Sequence, residues 1–330
     1  HSSSRYTIHR KRIAHFGLTL SASLLIVACA EQEVKQETMP ENILLQEWTG
    51  PYGGVPAFDE MKLEDVAPAI LKGMELRLAE IDAIANQEAA PTFDNTIVEL
   101  ERSGKELDRA FNYYGIFSSN ASSPEFRQIQ QELAPKISEY SSKITQNEKL
   151  FQRIKAVYDA SQEKPLEAQE QRVVDLTYKS FAMNGAELSA EKKERYAAIS
   201  KELSSLYTTF SSNVLHDEEN YVTYLNEDQL GGLSEGFIKS AAKIAADKGQ
   251  EGKYAITNSR SSMDPFLTYS TERELRKQVW TNYYSRGDNG DEFNNNELIA
   301  NVLRLRRERV ELLGYSNYAE WRLQDRMAKT

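Results

Sequence analysis

The sequence predicts an all-α fold with at most a short two-stranded β element. Only nine prolines and sixteen glycines interrupt the 330 residues, which favours long helices over a strand-and-turn architecture. Apolar residues recur at spacings of three and four over most of residues 60–315, which is the period of an amphipathic helix. Two short segments, 221–225 and 254–257, instead have the β-branched and aromatic composition of a small strand pair.

The chain begins with the pattern of a bacterial lipoprotein signal peptide, which we assign to residues 1–28. Four basic residues precede an apolar run at 16–27 that is too short to span a membrane comfortably. The run ends at Ala28 and Cys29, and Cys29 is the only cysteine in the sequence. We therefore predict that Cys29 is lipidated; a plain signal peptide with an incidental cysteine is the alternative. Residues 29–50 are polar and acidic and predict a tether.

The predicted helices follow a run of turn-forming residues at 51–56. The first carries the stripe Val66, Ile70, Met74, Leu78 and Ile81. The second carries Ile97, Leu100, Gly104, Leu107, Phe111 and Tyr114, with Thr92 or Asp94 as its start signal. The third carries Phe126, Ile129, Leu133, Ile137 and Tyr140. The clearest stripe lies in a helix at 189–215, with Ser189 as N-cap and Tyr196, Ile199, Leu203, Leu206, Phe210 and Val214 on one face.

Three more helices are predicted toward the end of the chain. One spans 234–248 between the two strands and ends at Lys248 and Gly249. The others span 271–285 and 294–313, and Gly314 closes the last. We expect the last helix to expose apolar surface, because Leu298, Val302, Leu305 and Leu312 would need further protein to cover them.

Composition excludes some classes of partner. Without the four basic residues before Cys29, the chain has 36 basic and 50 acidic residues, a net charge of −14, which disfavours nucleic-acid binding. A basic cluster, Arg304, Arg306, Arg307 and Arg309, is interleaved with glutamates and predicts ion pairs within a helix instead. The acidic run 288–292 does not lead to a glycine and a closing glutamate at the offsets that an EF-hand calcium loop requires, so we interpret it as a solvated loop. The tripeptide Arg286-Gly287-Asp288 in the same region is interpreted as a chance match to an adhesion motif.

Catalytic chemistry is not visible in the residues themselves. The four histidines are His1, His9, His15 and His216, and the first three lie in the predicted signal peptide. One remaining histidine and one acylated cysteine cannot form a usual zinc site, which takes three or four ligands. We interpret His216, beside three acidic residues, as a solvated helix-end histidine, with catalysis as the alternative. We assign no catalytic residue and no metal ligand within the sequence.

A collinear set of segments resembles the thimet oligopeptidase family of zinc metallopeptidases, nearest its bacterial peptidyl-dipeptidase and oligopeptidase A branch. The segments include 54–59 (GVPAFD), 91–97 (PTFDNTI), 265–269 (PFLTY) and 312–319 (LLGYSNYA). Others lie between them in family order, at 66–70, 100–101, 132–136, 147–154, 203–213, 249–253 and 273–276. No single segment is specific, but their order over residues 54–330 carries the resemblance.

The resemblance implies two helical lobes around a deep channel that admits short peptides. It further implies a zinc ion held by a His-Glu-x-x-His helix and a third glutamate ligand. No histidine here is followed by Glu-x-x-His, so we expect the zinc ligands beyond Thr330 and the 330-residue chain to be inactive by itself. We assign 51–260 to the N-terminal helical lobe and 261–330 to the start of the catalytic domain.

The expected function is hydrolysis of oligopeptides, with release of C-terminal dipeptides, by a lipid-anchored monomer. The expected place is the non-cytoplasmic side of a bacterial envelope, in the periplasm or at the outer membrane. A non-enzymatic helical lipoprotein that acts as a binding or scaffold protein is the alternative. A third possibility is an unrelated helical lipoprotein with a coincidental resemblance.

Overall fold

The computed structural model describes residues 42–330. The predicted signal peptide, Cys29 and most of the tether lie outside the described residues. The first helices of the described part are α1 (Val66–Asn86), α2 (Glu99–Arg102), α3 (Lys105–Asn120), α4 (Pro124–Thr145), α5 (Glu148–Glu163) and α6 (Ala168–Met183). They are followed by α7 (Ala190–Asn220), β1 (Val222–Leu225), α8 (Glu235–Asp247), β2 (Tyr254–Thr257), α9 (Arg260–Tyr269), α10 (Arg273–Tyr284), α11 (Asn296–Leu312) and α12 (Tyr318–Arg322). The predicted all-α fold class is confirmed.

Helix starts follow side-chain capping. The Ser123 hydroxyl accepts a hydrogen bond from the backbone N–H of Phe126 (3.1 Å), which satisfies a free donor at the start of α4. Ser189 caps α7 as predicted, although its hydroxyl lies 3.5 Å from the Lys192 nitrogen. α7 then continues to Asn220, five residues beyond the predicted end.

The predicted second helix is divided into three pieces. Thr92, not Asp94, is its cap: Thr92 and Asn95 exchange two side-chain to backbone hydrogen bonds of 3.0 and 2.8 Å. A π-helical turn at Phe93–Val98 leads into α2, which ends before Gly104. Gly104 has φ +84°, and its N–H donates to the Glu80 carboxylate at 2.6 Å. The left-handed backbone at this glycine separates α2 from α3.

The two strands pair antiparallel, as predicted. Val222 lies opposite Thr257 and Leu225 opposite Tyr254. Leu225 and Ile256 are fully buried against α8, α9 and α10. The pair therefore connects the end of α7 to the helices that follow.

Four helices were not predicted: α5, α6, α9 and α12. α9 contains Pro265, which cannot donate its backbone hydrogen bond and is usually taken as a helix breaker. Phe266 and Met263 are buried on this helix, and their packing on the strand pair stabilises it despite the proline. Tertiary burial has here outweighed a local preference.

The prediction that α11 exposes an apolar face is wrong. Leu305 is fully buried and Val302 is 8% exposed, and both pack against Ile199 and Leu203 of α7. Leu298 and Leu312 are half-buried at the edge of the same cluster. The long helix α7 covers the apolar residues that were expected to need further protein.

Two findings concern the whole described part. Among residues 42–330, no helix combines the length and the apolar character needed to cross a membrane. Residues 42–330 belong to one compact unit. The proposed boundary between 260 and 261 remains a prediction.

Candidate functional site

His216 is the histidine that lies within residues 42–330, and its surroundings differ from the prediction. It sits in the last full turn of α7, not beyond the helix end. Its imidazole stacks on the ring of Phe293, with centroids 3.4 Å apart and planes at 10°. The side chain is 31% exposed. His216 is thus a packed, half-buried residue instead of a solvated helix-end histidine.

Asp217, the next residue, is a fully buried carboxylate. Its Oδ2 accepts hydrogen bonds from the Gly287 N–H and the Asn289 amide, both at 2.8 Å. Its Oδ1 lies 3.3 Å from Nδ1 of His216. A buried carboxylate without hydrogen-bond donors would cost several kcal/mol, whereas Oδ2 of Asp217 accepts from two donors. Asp217 therefore fastens the α10–α11 loop to the end of α7.

Asn295 closes the α10–α11 loop from its other end. Its N–H donates to the Gly287 carbonyl (2.7 Å), and its amide donates to the Phe210 carbonyl (3.2 Å). Its side-chain oxygen accepts from the Asn213 amide at 2.8 Å. Gly287 has φ +72°, and a Cβ there would lie 2.7 Å from the Asn295 amide nitrogen. Glycine is required at this position by both backbone and space.

The acidic run 288–292 is an exposed loop, as predicted, although Asn289 reaches inward to Asp217. Arg286 is not displayed for adhesion. Its guanidinium pairs with Glu218 at 2.7 Å and lies 3.8 Å from the centre of the Tyr283 ring. The Arg286 side chain is 19% exposed, so the tripeptide serves the packing of the loop.

A surface pocket of about 490 Å³ opens beside His216. Its walls come from the start of α4, the end of α7 and the α10–α11 loop. Arg127 and Glu219 form a two-pronged ion pair across it, with N–O distances of 3.1 and 2.8 Å. The Arg127 side chain is 13% exposed, so this pair holds α4 against α7. The pocket brings together paired charges and one imidazole, but no nucleophile activated by a neighbouring base.

The donor set of the described residues does not fit zinc. Within 42–330, no group of three histidine, cysteine or carboxylate side chains lies close enough to hold a metal ion. His216 and Asp217 supply two donors, and both Asp217 oxygens already have partners. A zinc site takes three or four ligands, so this pair cannot provide one. Cys29, the predicted lipidation site, lies outside the described residues, and its modification stays a prediction.

Sequence reasoning missed the role of Asp217. The adjacent acidic residues Glu218 and Glu219 gave no sign that the first of the three would be buried. The partner Asn289 is 72 residues away, and no periodic pattern links the two positions. An Asp one turn before a helix end, followed much later by a glycine- and asparagine-rich loop, is too common a pattern to identify such a contact.

Comparison with known proteins gives two matches to family models. Residues 68–193 match the model of the N-terminal domain of neurolysin and thimet oligopeptidase, and residues 266–330 match the model of peptidase family M3. The two matches occur in the chain order of the resembling segments.

Several curated proteins are similar to the chain along most of its length. Dipeptidyl carboxypeptidase of Salmonella typhimurium is 29% identical over 293 residues, which cover 88% of this chain and 43% of that protein. Oligopeptidase A of Haemophilus influenzae is 30% identical over 281 residues, covering 84% and 41%. Saccharolysin of Saccharomyces cerevisiae is 25% identical over 243 residues, covering 73% and 33%. The chain therefore spans about two fifths of the length of the first two relatives.

Proposed function

The chain belongs to peptidase family M3, and we propose that the whole protein is a zinc metallopeptidase that hydrolyses oligopeptides. The observation that carries the proposal is the collinear pair of family matches on this helical fold, at residues 68–193 and 266–330. Similarity to dipeptidyl carboxypeptidase and oligopeptidase A supports peptides as the substrates.

The finer proposal is the release of dipeptides from the carboxyl end of short peptides. It is supported by the similarity to dipeptidyl carboxypeptidases from two bacteria, each 29% identical over 88% of the chain. The oligopeptidase A relatives are 29–30% identical, so the identity alone does not separate the two activities. We favour a monomer that acts on free short peptides.

The donors within 42–330 do not fit zinc, so the proposal assigns its ligands to residues outside the described part. We propose that these ligands follow Thr330 in the whole protein. When bound, zinc supplies the Lewis acidity that family M3 peptidases use in hydrolysis. The described residues supply the helical framework: α7 packs against both α4 and α11, and the Asp217 hydrogen bonds hold the α10–α11 loop beside them.

Attachment through lipidated Cys29 on the non-cytoplasmic side of a bacterial envelope is part of the proposal. Its support is the basic, then apolar, then small-residue pattern before that cysteine. Hydrolysis would then take place in the periplasm or at the outer membrane. Two or more acyl chains give stable anchoring, whereas one chain is marginal.

A non-enzymatic binding or scaffold protein is the second candidate, and the unfit donor set within 42–330 is the observation that favours it. The experiment compares two proteins, the 330-residue chain and the product of the longer reading frame. Both are assayed on a blocked short peptide, with and without a chelator, and with zinc added back. We expect chelator-sensitive turnover from the longer product alone.

Each outcome of this experiment decides between the candidates. Chelator-sensitive turnover by the 330-residue chain would show that the ligands do not lie beyond Thr330. A longer product that folds, contains His-Glu-x-x-His and yet is inactive would favour the scaffold. A reading frame that stops directly after Thr330 would do the same.

A further inference from the structure

One face of α10 carries two cationic and two aromatic side chains in a row. Arg273, Lys277, Trp280 and Tyr284 are separated by four, three and four residues, which places them within an arc of about 60° on a helix. All four are exposed, Trp280 by 52% and Tyr284 by 64%. The opposite side of α10 buries Val279 in the core. We call these four residues the α10 stripe.

The cations of the stripe are free of ion pairs. Some exposed basic residues of this protein form ion pairs along their helix, such as Lys243 with Asp247 and Arg307 with Glu311. No carboxylate lies within ion-pair distance of Arg273 or Lys277 among the described residues. The neighbouring Arg276 donates to the Ser270 carbonyl and adds a third positive charge. Residues 273–277 thus carry three positive charges and one carboxylate, Glu274, in a chain of net charge −14 beyond its first 28 residues.

The aromatic half of the stripe offers apolar contact beside those charges. The rings of Trp280 and Tyr284 lie 5.3 Å apart, centre to centre. A depression of about 400 Å³ runs along the helix between Trp280 and the cations, and Leu267 of α9 forms part of its wall. Exposed tryptophan and tyrosine beside arginine are the side chains that most often dominate binding surfaces.

The dimensions of the stripe suit a short extended chain. From Arg273 to Tyr284 is eleven residues of helix, or about 16 Å. An extended peptide covers about 3.3 Å per residue, so about five residues span the stripe. One end of such a peptide meets positive charge, and the other meets aromatic rings.

We propose that the α10 stripe binds short acidic peptides, with carboxylates on Arg273 and Lys277 and an apolar side chain on Trp280 and Tyr284. The choice of a peptide rests on the proposed function. Three cations and one carboxylate, Glu274, line the depression. An anionic membrane is disfavoured, because an extended bilayer would face the whole acidic body of the chain, whereas a short peptide contacts the stripe alone. The binding surface lies outside the His216 pocket, which shares none of these residues.

Binding is measured on the 330-residue chain by fluorescence anisotropy. The probe is a dye-labelled pentapeptide with phenylalanine first and two glutamates and a free carboxylate last. We expect saturable binding that weakens as salt is raised, because the cations are exposed. Lys277→Glu should raise the Kd about tenfold through charge reversal, and Trp280→Ala should raise it about fivefold through loss of ring contact.

Matched controls separate the stripe from general charge and exposure. Lys239→Glu makes the same charge change at an exposed position of α8, and Leu303→Ala removes an exposed apolar side chain from α11. Both should leave the Kd within about twofold, and circular dichroism should show all four variants folded. Equal weakening by a control, or equal binding of a peptide ending in two lysines and an amide, would overturn the proposal.

A vesicle-binding experiment tests the alternative that the stripe binds an anionic membrane. The chain is sedimented with vesicles of equal phosphatidylglycerol and phosphatidylcholine. If the chain binds these vesicles, loses that binding in the Lys277→Glu variant and binds no peptide, the ligand of the stripe is a membrane and the peptide proposal is refuted. Absence of saturable peptide binding also refutes the assignment. The measurement needs no turnover, so an inactive longer protein with an intact peptide site would sink the proposed function and leave the stripe standing.

Discussion

The side-chain amide of Asn289 lies 2.8 Å from Oδ2 of Asp217, although 72 residues separate them. Asp217 is fully buried at the end of α7, and Asn289 belongs to the loop that joins α10 to α11. The same oxygen accepts the Gly287 N–H at 2.8 Å. One carboxylate thus determines where the chain turns between two helices of the segment that matches the M3 peptidase model.

Asp217→Ala should destabilise the protein by about 2–4 kcal/mol, because the Gly287 N–H and the Asn289 amide would lose a charged acceptor inside the protein. Urea unfolding followed by circular dichroism measures the change. Asp228→Ala is the control: Asp228 is exposed, and we expect less than about 0.5 kcal/mol there. Equal stability of the two variants would contradict the anchoring role of Asp217.

Gly287→Ala and Gly290→Ala test the loop at two glycines with nearly equal backbone angles. Their φ values are +72° and +69°, so both variants strain the backbone by about 1 kcal/mol. At Gly287 the added Cβ would also lie 2.7 Å from the Asn295 amide, whereas at Gly290 nothing lies within 4 Å. We expect Gly287→Ala to lower the melting temperature clearly more than Gly290→Ala. Equal decreases in melting temperature would show that the Asn295 side chain moves away from the added Cβ without loss of stability.

Tyr178 predicts a pH dependence at the alkaline end. Its hydroxyl donates to the Glu187 carboxylate at 2.7 Å, and this hydrogen bond, with burial, raises the pKa of Tyr178 to about 12. The folded state therefore holds this proton more tightly than the unfolded state, whose tyrosine pKa is about 10. The resulting stabilisation is complete below pH 10 and is lost as the pH rises to about 12.

Tyr178→Phe keeps the ring that stacks on Tyr158 and removes the hydroxyl. The stability difference between parent and variant should shrink between pH 10 and pH 12. Urea midpoints of both proteins across this range measure it, and the other tyrosines cancel in the comparison. A difference that stays constant with pH would mean that the Glu187 contact does not form in solution.

Cys29→Ser tests the predicted lipid anchor. Without a thiol the acyl chains cannot be attached, so the protein should move from the membrane to the soluble or uncleaved precursor fraction. Cell fractionation with an antibody against the chain measures the distribution. Ser23→Ala, in the same apolar run, should leave the distribution unchanged. Mature protein that remains on the membrane as the serine variant would refute lipidation at Cys29.

The sequence predicted much of this fold because most helices bury a stripe with a regular period. The prediction failed where the structure depends on contacts between distant segments, because hydrophobic periodicity does not show which segments meet. The stripe from Leu100 to Leu107 keeps helical spacing across the break at Gly104, so two helices read as one. α9 was not predicted because it contains Pro265, which usually ends a helix. The contact of Asp217 with Asn289 was not predicted because the two residues lie in distant segments of the sequence. The four residues of the α10 stripe lie on a single predicted helix, so their common face could have been predicted from their spacing in the sequence.

Leu305 and Leu303 provide a test of the α11 face that was predicted to be exposed. Leu305 is fully buried with Ile199 and Leu203 of α7, whereas Leu303, two residues earlier, is 58% exposed. Leu305→Ala would remove buried methyl groups and leave a cavity between α7 and α11, at a cost of about 2–4 kcal/mol. Leu303→Ala makes the same chemical change at a solvated position and should alter stability by less than about 0.5 kcal/mol. Urea unfolding of both variants gives the difference directly. If α11 instead turned its 302–305 face to solvent, as its sequence first suggested, the two variants would be equally mild, and the packing of α11 on α7 would be refuted.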